Sequence, residues 1–598
     1  MADNDKKILP IDYTHREFES IRGDLMQIAQ RFYPDSFRDF SDASFGSLML
    51  DAVAYVGDQL NFYLDYNINE SFLDTAYGAD NILRHGRALG YKSSGVSSVY
   101  GEVALYAMVP AHGSGLGPDP LYTPIMKRGS RFSSKNGLNF ILTSNIDFSN
   151  PANPIVVGRV DDSTGAPTHY AIKAYGNVVS GKFSSRRLKV GNFQRFNRVK
   201  ISSRQLAEVI SVFDLKGNQY YEVDYLSQDM VYEEIPNDNY KSDNVPSVIK
   251  PLLVSRKFII VRNDQGTFLQ FGSGDSSESA VVADPQRVAL NLFGKSYVTD
   301  TTFDPTRLSR DTSYGIVPAN TTLTVNYRLD NKFNSNVATG VLNGVQDAVL
   351  EFKDREQLTV SKMADIQSSI EVLNETPLVG VNSAGSVNEL KAKIMDTFPT
   401  QNRAVTQADY ENVALRMPGK FGSVKRVSVQ KDPDSLKRNL NMYVISENHF
   451  GKLTATNSTI KQNLKTWLNN YRMINDTIDI LDPYIVNVGI EFVIKVLPTA
   501  DRNLAITQSI TRLKRKFARN YFIGEHIQIS DIYSELKRAR DVLDVIKVKI
   551  ISKSGGQYSY VNFSINENLS PEGDYLMCPK NAIFEIKFPS VDIKGKTR

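Results

Sequence analysis

Histidine and cysteine are the residue types with which this sequence could most readily build a metal or nucleophilic site. The histidines are isolated from one another, with no pair at helical or hairpin spacing: His15, His85, His112, His169, His449 and His526. Zinc sites commonly require a His-Glu-x-x-His helix or cysteine–histidine pairs. The single cysteine, Cys578, can form neither an intrachain disulfide nor a cysteine-rich metal site. We therefore expect no metal ion and no other cofactor.

Motifs for phosphate binding and nucleophilic catalysis are missing as well. The sequence contains no G-x-x-x-x-G-K-[ST] loop and no G-x-S-x-G elbow. Its glycine-rich segments, GSGLG at 113–117 and GSGD at 272–275, match turns better than a dinucleotide fingerprint. We expect no catalytic residue and no small-molecule substrate, so the protein is predicted not to be an enzyme. An enzyme acting on a surface polymer stays as an alternative, supported only by the abundance of carboxylates.

Two basic segments could bind an acidic partner. The segment 173–204 contains no acidic residue, and three phenylalanines lie among its cations: Phe183, Phe193 and Phe196. Cations that contact phosphates and aromatic rings that stack on bases are typical of a nucleic-acid-binding surface. The other interpretation is a sheet with a basic face and a buried aromatic face. The second segment, RLKRKFAR at 512–519, lies on a predicted helix, and an acidic protein would suit either segment equally well.

Composition places the chain among ordinary globular proteins. It has 598 residues, of which 41% are hydrophobic and 23% charged, with a net charge of +4. A chain of this length is expected to form roughly three to five domains. Its first residues lack the apolar core of a signal peptide, and no apolar run reaches membrane-spanning length. We expect no membrane insertion, and the single cysteine favours a reducing compartment for synthesis.

The N-terminal region, residues 1–95, is predicted to be helical. Apolar residues recur there at steps of three and four, which places them on one stripe of a long helix: Phe45, Leu48, Met49, Ala52, Val56, Leu60, Tyr63 and Leu64. Ser41 or Asp42 could cap this helix, and Gly90 is suited to end a second helix over 77–89. Further apolar residues off the stripe leave two interpretations open. Either the two helices cover their own domain, or the stripe is a subunit interface.

The remaining chain is predicted to be β-rich and then mixed. Alternating apolar residues indicate strands throughout 96–345, including a hairpin at 258–275. Short helices are expected at 345–353 and 361–373, within a transition segment and α+β domain at 346–480. A C-terminal α+β domain follows at 481–598, where Ile546 should face inward and Lys547 and Lys549 outward. The fold class is therefore multidomain α+β, with a helical N-terminal segment, a β-rich middle and two C-terminal α+β domains.

Several segments together resemble the baseplate J-like family. The first contains Glu70, Phe72, Leu73, Thr75 and Ala76, followed by Leu89, Gly90 and Tyr91. The segments KRGSRFSS at 127–134 and FLQFGSGD at 268–275 resemble two glycine motifs of that family. The most specific similarity is the N-R-A-V-T-x-x-D-Y motif, which consists of Asn402, Arg403, Ala404, Val405, Thr406, Asp409 and Tyr410.

The resemblance implies a structural subunit of a baseplate wedge, as in T-even-like contractile-tailed bacteriophages. In such wedges two copies of one chain form a heterotrimer with another wedge protein, and their N-terminal helices contribute to a core bundle. Residues 481–598 would then pair copies into an inner ring around the hub, which rearranges when the sheath contracts. Further implied partners are a sheath-initiating wedge protein and an inter-wedge clamp protein. The implied location is the tail baseplate of a virion assembled in the host cytoplasm, with no nucleic acid bound.

Overall fold

The computed structural model describes residues 17–33, 44–92, 95–113, 116–202, 205–236, 247–263, 265–274, 314–330, 335–382, 387–433, 439–517, 519 and 521–598. The chain divides into two compact units. The first comprises Met1–Lys92 and Gly385–Phe398, and the second comprises Ser93–Ala384 and Pro399–Arg598. The sequence did not reveal that the segment after residue 385 belongs with the N-terminal helices. The division into four domains stays a prediction.

The described helices are numbered along the chain. They are α1 (Phe18–Phe32), α2 (Phe45–Glu70), α3 (Ala79–Ala88), α4 (Val360–Ser368), α5 (Val387–Met395), α6 (Thr397–Thr400), α7 (Gln407–Leu415), α8 (Ser458–Asn469), α9 (Arg502–Phe517), α10 (Ile529–Lys537) and α11 (Pro589–Asp592). Three 3₁₀ turns lie at Pro120–Tyr122, Arg355–Gln357 and Gly419–Phe421.

The described strands are numbered in the same way. They are β1 (Tyr100–Pro110), β2 (Ile125–Met126), β3 (Arg131–Ser134), β4 (Asn139–Leu142), β5 (Ile146–Asp147), β6 (Ile155–Val160), β7 (Pro167–Ser180), β8 (Lys182–Val190), β9 (Arg198–Ser202), β10 (Leu206–Phe213), β11 (Gln219–Glu222), β12 (Met230–Pro236), β13 (Ser247–Leu253), β14 (Lys257–Asn263), β15 (Gly266–Phe271), β16 (Thr321–Leu329), β17 (Leu342–Asp347), β18 (Leu350–Glu351), β19 (Glu371–Leu373), β20 (Arg426–Lys431), β21 (Asn439–Glu447), β22 (Leu453–Ala455), β23 (Thr477–Leu481), β24 (Tyr484–Val496), β25 (Ile527–Gln528), β26 (Val542–Lys553), β27 (Tyr575–Leu576), β28 (Ala582–Glu585) and β29 (Ile593–Thr597).

The first unit is helical, as predicted for the N-terminal region. Helix α2 begins after Ser44, whose Oγ accepts a hydrogen bond from the backbone N–H of Ser47 (3.1 Å). The cap is therefore Ser44, and the predicted caps Ser41 and Asp42 lie outside the described residues. A small core forms where α3 and α5 meet, from Ala76, Ile82, Tyr91 and Ile394.

The second unit starts with a seven-stranded sheet in the order β17-β3-β4-β7-β1-β19, with β6 also paired to β7. The predicted alternation holds in β1, because Val103, Leu105, Ala107 and Val109 are all buried. They share a core with α4 and with the inward residues of the neighbouring strands.

A second seven-stranded sheet is inserted between β7 and β17. Its order is β8-β16-β10-β11-β14-β15-β9, and it has its own hydrophobic core. The predicted hairpin is confirmed as β14 and β15, with Phe258 opposite Phe271. One residue of its predicted loop, Asp264, lies outside the described residues. The β-rich middle thus contains two seven-stranded sheets, one inserted within the other.

A buried arginine joins the two sheets. Arg328 of β16 donates to Ser98 Oγ (2.9 Å) before β1 and to the Ser180 carbonyl (2.5 Å) at the end of β7. Its guanidinium also pairs with Glu208 (3.1 Å) and lies 3.7 Å from Asp330. Because the Arg328 side chain is only 2% exposed, these partners replace the water it lost on folding.

Two mixed regions complete the second unit. In the first, β20 and β21 pair with Val427 opposite Val444, and α7 and α8 contribute to their core. In the second, β24 lies between β26 on one side and β28 and β29 on the other, with α9 and α10 in the same core. The overall class is multidomain α+β, as the sequence predicted.

Two local predictions were wrong. Residues 345–353 were expected to be helical, but β17 and β18 lie there because they pair with β3 and β2. Ile546 was expected to face inward, but it is 41% exposed. The ladder between β26 and β24 skips Ile546, since Val493 pairs with Lys547 and Ile494 with Val545. This bulge turns Val545 into the core in place of Ile546. Lys547 and Lys549 are exposed, as predicted.

Candidate functional site

The predicted stripe of α2 lies on the surface of the first unit. Its residues are all exposed among the described residues: Phe45 (74%), Leu48 (60%), Met49 (49%), Val56 (55%), Leu60 (58%) and Tyr63 (59%), together with Ala52. The apolar residues beside the stripe are exposed too, including Val53, Tyr55 and Phe62. A contiguous apolar surface of this kind on a globular protein is typical of a binding interface.

The face of α2 that packs against α1 is instead polar or small. Arg22 of α1 pairs with Asp51 (Nε to Oδ1, 2.6 Å) and donates to Ser47 Oγ (3.2 Å). Ala54 is fully buried, and Ile21 of α1 lies against Gly57. The usual arrangement of an amphipathic helix, with large apolar residues toward its own core, is therefore reversed.

Glu70 organises the connection from α2 to α3. Its carboxylate accepts hydrogen bonds from the backbone N–H groups of Tyr77 (2.8 Å) and Gly78 (3.0 Å) and from the Asn81 side chain (2.8 Å). The Asn81 bond and the Tyr77 bond lower the pKa of Glu70 below its usual value. The acidic group lies at the start of α3, where unpaired N–H groups favour negative charge. The Glu70 motif thus has a structural role.

Gly90 ends α3 as predicted. Its φ of 87° is in the left-handed region, and the Tyr91 N–H donates to the Gly86 carbonyl (2.7 Å). This turn brings the Tyr91 ring into the small core beside Ile394. The leucine–glycine–tyrosine segment therefore fixes the end of the helix and its packing.

The N-R-A-V-T motif lies at the start of α7 in the second unit. Thr406 and Asp409 form a reciprocal cap, in which Asp409 N–H donates to Thr406 Oγ1 (3.2 Å) and Thr406 N–H to Asp409 Oδ2 (2.9 Å). Burial raises the pKa of Asp409, but the backbone N–H groups of Thr406 and Val405 outweigh it, so the net pKa is lowered.

The remaining residues of the motif fix the chain before and after this cap. Asn402 has a left-handed backbone (φ 60°), Arg403 is exposed, and the buried Ala404 donates its N–H to the Tyr471 carbonyl (2.8 Å). Val405 is 55% exposed. Tyr410 is buried, and its hydroxyl donates to Asp476 (2.7 Å) and accepts from the Met473 N–H (3.2 Å). These contacts hold α7 in place.

The two glycine motifs also have structural roles, one as a turn and the other as a close backbone contact. Ser130 Oγ donates to the Lys127 carbonyl (2.9 Å) and accepts from Val349 N–H (3.1 Å), next to Gly129 at φ 92°. A Cβ on Gly272 would lie 1.8 Å from the Tyr314 carbonyl oxygen, so only glycine fits there. Asp275, Ser114 and Gly115 of the predicted glycine-rich segments lie outside the described residues.

The basic segment 173–204 runs through β7, β8 and β9. The interpretation with a buried aromatic face is wrong, because Phe183 (45%), Phe193 (38%) and Phe196 (46%) are all substantially exposed. A cavity of about 660 Å³ lies between the end of β8 and the start of β9, lined by residues 188–194 and 197–200. The sequence pattern identified the segment but not its concave shape. The second basic segment lies on α9, as predicted, through residue 517, and this helix buries Leu513 and Phe517.

The described part of the chain contains no group of three or more histidine, cysteine, aspartate or glutamate side chains arranged to hold a metal ion. Cys578 is buried, and burial raises the pKa of its thiol to about 12, so it is a poor nucleophile at neutral pH. No helix within the described ranges is both long and apolar enough to cross a bilayer.

No match was found among curated protein sequences. Among solved structures, the chain is similar to the six-fold symmetrised anti-feeding prophage (AFP) baseplate, with 9% identity, a TM-score of 0.25 and coverage of 94% of this chain and 90% of that chain. It is also similar to the type VI secretion system TssK-TssF-TssG baseplate subcomplex, with 9% identity, a TM-score of 0.22 and coverage of 73% and 96%.

The family comparison concerns the first unit. Residues 17–88 match the model of the bacteriophage baseplate protein N-terminal domain. This range contains α1, α2 and α3, and therefore both the exposed stripe and the Glu70 turn. The matched segment supports a structural role for the chain in a baseplate, and the finer assignment to the baseplate J-like family stays a prediction.

Proposed function

We propose that this protein is a structural subunit of a contractile-tail baseplate wedge, which joins other baseplate proteins through the exposed stripe of α2. The observation that carries the proposal is the reversed packing of that helix. Its large apolar side chains lie on the surface, while Ser47, Asp51 and Ala54 face α1. The match of residues 17–88 to a baseplate N-terminal domain gives this surface its proposed setting.

The energetics favour a partner for α2. Complete burial of one leucine, valine or phenylalanine side chain stabilises by about 1.5–3 kcal/mol. About half or more of the surface of each large stripe residue is exposed to solvent in the free chain. A matching apolar surface on another helix would remove that area from water. The free energy of burial, summed over the stripe residues, is sufficient to offset a large part of the entropic cost of association.

The proposed partners are a second copy of this chain and another wedge protein, joined as a heterotrimer whose N-terminal helices form a bundle. Residues 481–598 would pair copies into an inner ring that holds wedges around the hub and rearranges on sheath contraction. A sheath-initiating wedge protein and an inter-wedge clamp protein are further proposed neighbours. The proposed location is the tail baseplate of a virion assembled in the host cytoplasm. The role proposed is structural and not catalytic, without cofactor.

The proposal is tested by purifying the chain alone and after co-expression with the other baseplate proteins of its tail, and by measuring mass with light scattering. We expect a subcomplex that contains this chain and at least one other baseplate protein. A chain that stays monomeric under all these conditions and joins none of the other proteins would overturn the proposal.

A further inference from the structure

The second sheet of the β-rich region is an open barrel with a seam. Its two edge strands, β8 and β9, are consecutive in the chain and connected by the loop 191–197, but no ladder of hydrogen bonds joins them. One side chain bridges the gap, since Arg186 Nη1 donates to the Ile201 carbonyl (2.7 Å). Edge strands leave alternate backbone N–H and C=O groups unpaired, which is a recognised template for an added extended segment.

Cations line both sides of this seam. On β8, Leu188 and Val190 are buried, which turns Arg187 and Lys189 outward. On β9, Ile201 is buried, and Arg198 and Lys200 are exposed. Neither Arg187 nor Lys189 forms an ion pair with any residue that the structure describes.

The loop between the strands adds aromatic surface in a constrained conformation. Phe196 has a left-handed backbone (φ 54°), which is uncommon for a bulky residue. Its N–H donates to the Gly272 carbonyl (2.7 Å), and its ring meets that of Tyr314 edge-on at 6.1 Å. Phe193 and Phe196 both stay more than a third exposed, and Phe193 lines the cavity. Such strained positions are often maintained at binding sites.

We propose that this seam, formed by β8, the loop 191–197 and β9, binds an extended acidic segment of another baseplate protein. This inference rests on the proposed function, because the proposed function is the reason to expect the partner to be a baseplate protein. Strand edges supply backbone hydrogen bonds to an extended peptide, the cations attract its carboxylates, and the two phenylalanines contact its apolar side chains. A single-stranded nucleic acid fits less well, because it does not pair with strand edges.

The first test is zero-length carbodiimide cross-linking of the co-expressed subcomplex, since this reagent joins a lysine amine to a carboxylate in direct contact. We expect Lys189 or Lys200 to be linked to aspartate or glutamate residues of another baseplate protein. A subcomplex in which Lys547 and Lys549 react but these two lysines form no link to another chain would overturn the inference and leave the proposed function intact. Failure of any subcomplex to form would overturn both.

The second test uses charge reversal. The Arg187→Glu/Lys189→Glu variant should bind the cross-linked partner at least about tenfold more weakly. Lys353→Glu/Arg355→Glu is the matched control, because both side chains are exposed, lie two residues apart outside residues 481–598, and carry the same change in charge. An equal effect of the two variants, or no effect, would contradict the proposal. Tight binding of a single-stranded DNA oligonucleotide that only the first variant abolishes, with partner binding unchanged, would assign the seam to nucleic acid instead.

Discussion

Replacing two stripe residues of α2 by aspartate should separate assembly from folding. Leu48 and Val56 are 60% and 55% exposed, so Leu48→Asp/Val56→Asp changes surface positions of the free chain. Such substitutions usually change the free energy of unfolding by less than about 0.5 kcal/mol each. The far-ultraviolet circular dichroism and the urea midpoint of the free variant should therefore remain close to those of the unmodified protein.

The same change should prevent association. Full burial of a leucine or valine side chain stabilises by about 1.5–3 kcal/mol. Because a little more than half of each side chain is exposed in the free chain, each substitution would remove about 1–2 kcal/mol of stabilisation from the interface. Each buried carboxylate would cost several kcal/mol more without a partner. A total of about 5 kcal/mol or more corresponds to an affinity at least ~1,000-fold weaker, because each 1.4 kcal/mol is a factor of about ten.

The assay is light scattering of the co-expressed proteins at equal concentrations, with two controls. Leu504→Asp changes an equally exposed residue (51%) in the first turn of α9 and should leave the N-terminal association intact. Ala54→Asp changes a fully buried residue of α2 and should weaken the packing of this helix on α1 in the free chain. Normal assembly of the double aspartate variant would refute the assignment of the stripe, and unfolding of its free form would show that the stripe packs within the chain.

Three further predictions concern the second unit. Thr406→Ala removes the reciprocal cap with Asp409 and should lower the free energy of unfolding by about 1 kcal/mol in urea titration, whereas Thr406→Ser should restore it. Burial and then the Asp476 hydrogen bond raise the pKa of Tyr410 to about 12. The unfolded chain, with a tyrosine pKa of about 10, therefore loses this proton first, so stability should fall as pH rises from about 10 toward 12. Tyr410→Phe should reduce that slope in urea titrations across this range and cost about 1–2 kcal/mol at neutral pH; an unchanged slope would contradict the assignment. Arg328→Met leaves the buried Asp330 without its cation and should cost about 3–5 kcal/mol, measured by thermal unfolding; a loss under 1 kcal/mol would show that the pair contributes little.

The elements with a clear period were predictable from the sequence. Alternating apolar residues indicated the strands of the region that contains β1, and steps of three and four identified α2, because these patterns follow directly from strand and helix geometry. The end of α3 at Gly90 was predictable for the same reason, since a left-handed backbone is a local requirement that glycine meets. The residues 345–353 were not, because pairing with β3 and β2 decides their conformation.

Features that depend on distant contacts were beyond the sequence pattern. The apolar stripe of α2 could be identified, but only the structure reveals that the opposite, polar face contacts α1 through Arg22. The bulge that exposes Ile546 depends on its register with β24. Helix α5 belongs to the first unit because Ile394 packs into the small core of that unit. The sequence does not distinguish Ile394 from the many other apolar residues of the chain.

The insertion of the second sheet has an evolutionary consequence. The strands that begin and end this insert along the chain, β8 and β16, pair with each other, and Lys182 lies directly opposite Leu329. Paired residues on antiparallel strands lie about 5 Å apart. The chain therefore leaves the first sheet and returns to it at almost the same point, so a short turn could replace the whole insert without displacing β7 or β17. A module attached in this way can be acquired, lost or exchanged between relatives while the host sheet persists, with Arg328 as the contact that adapts the two to each other.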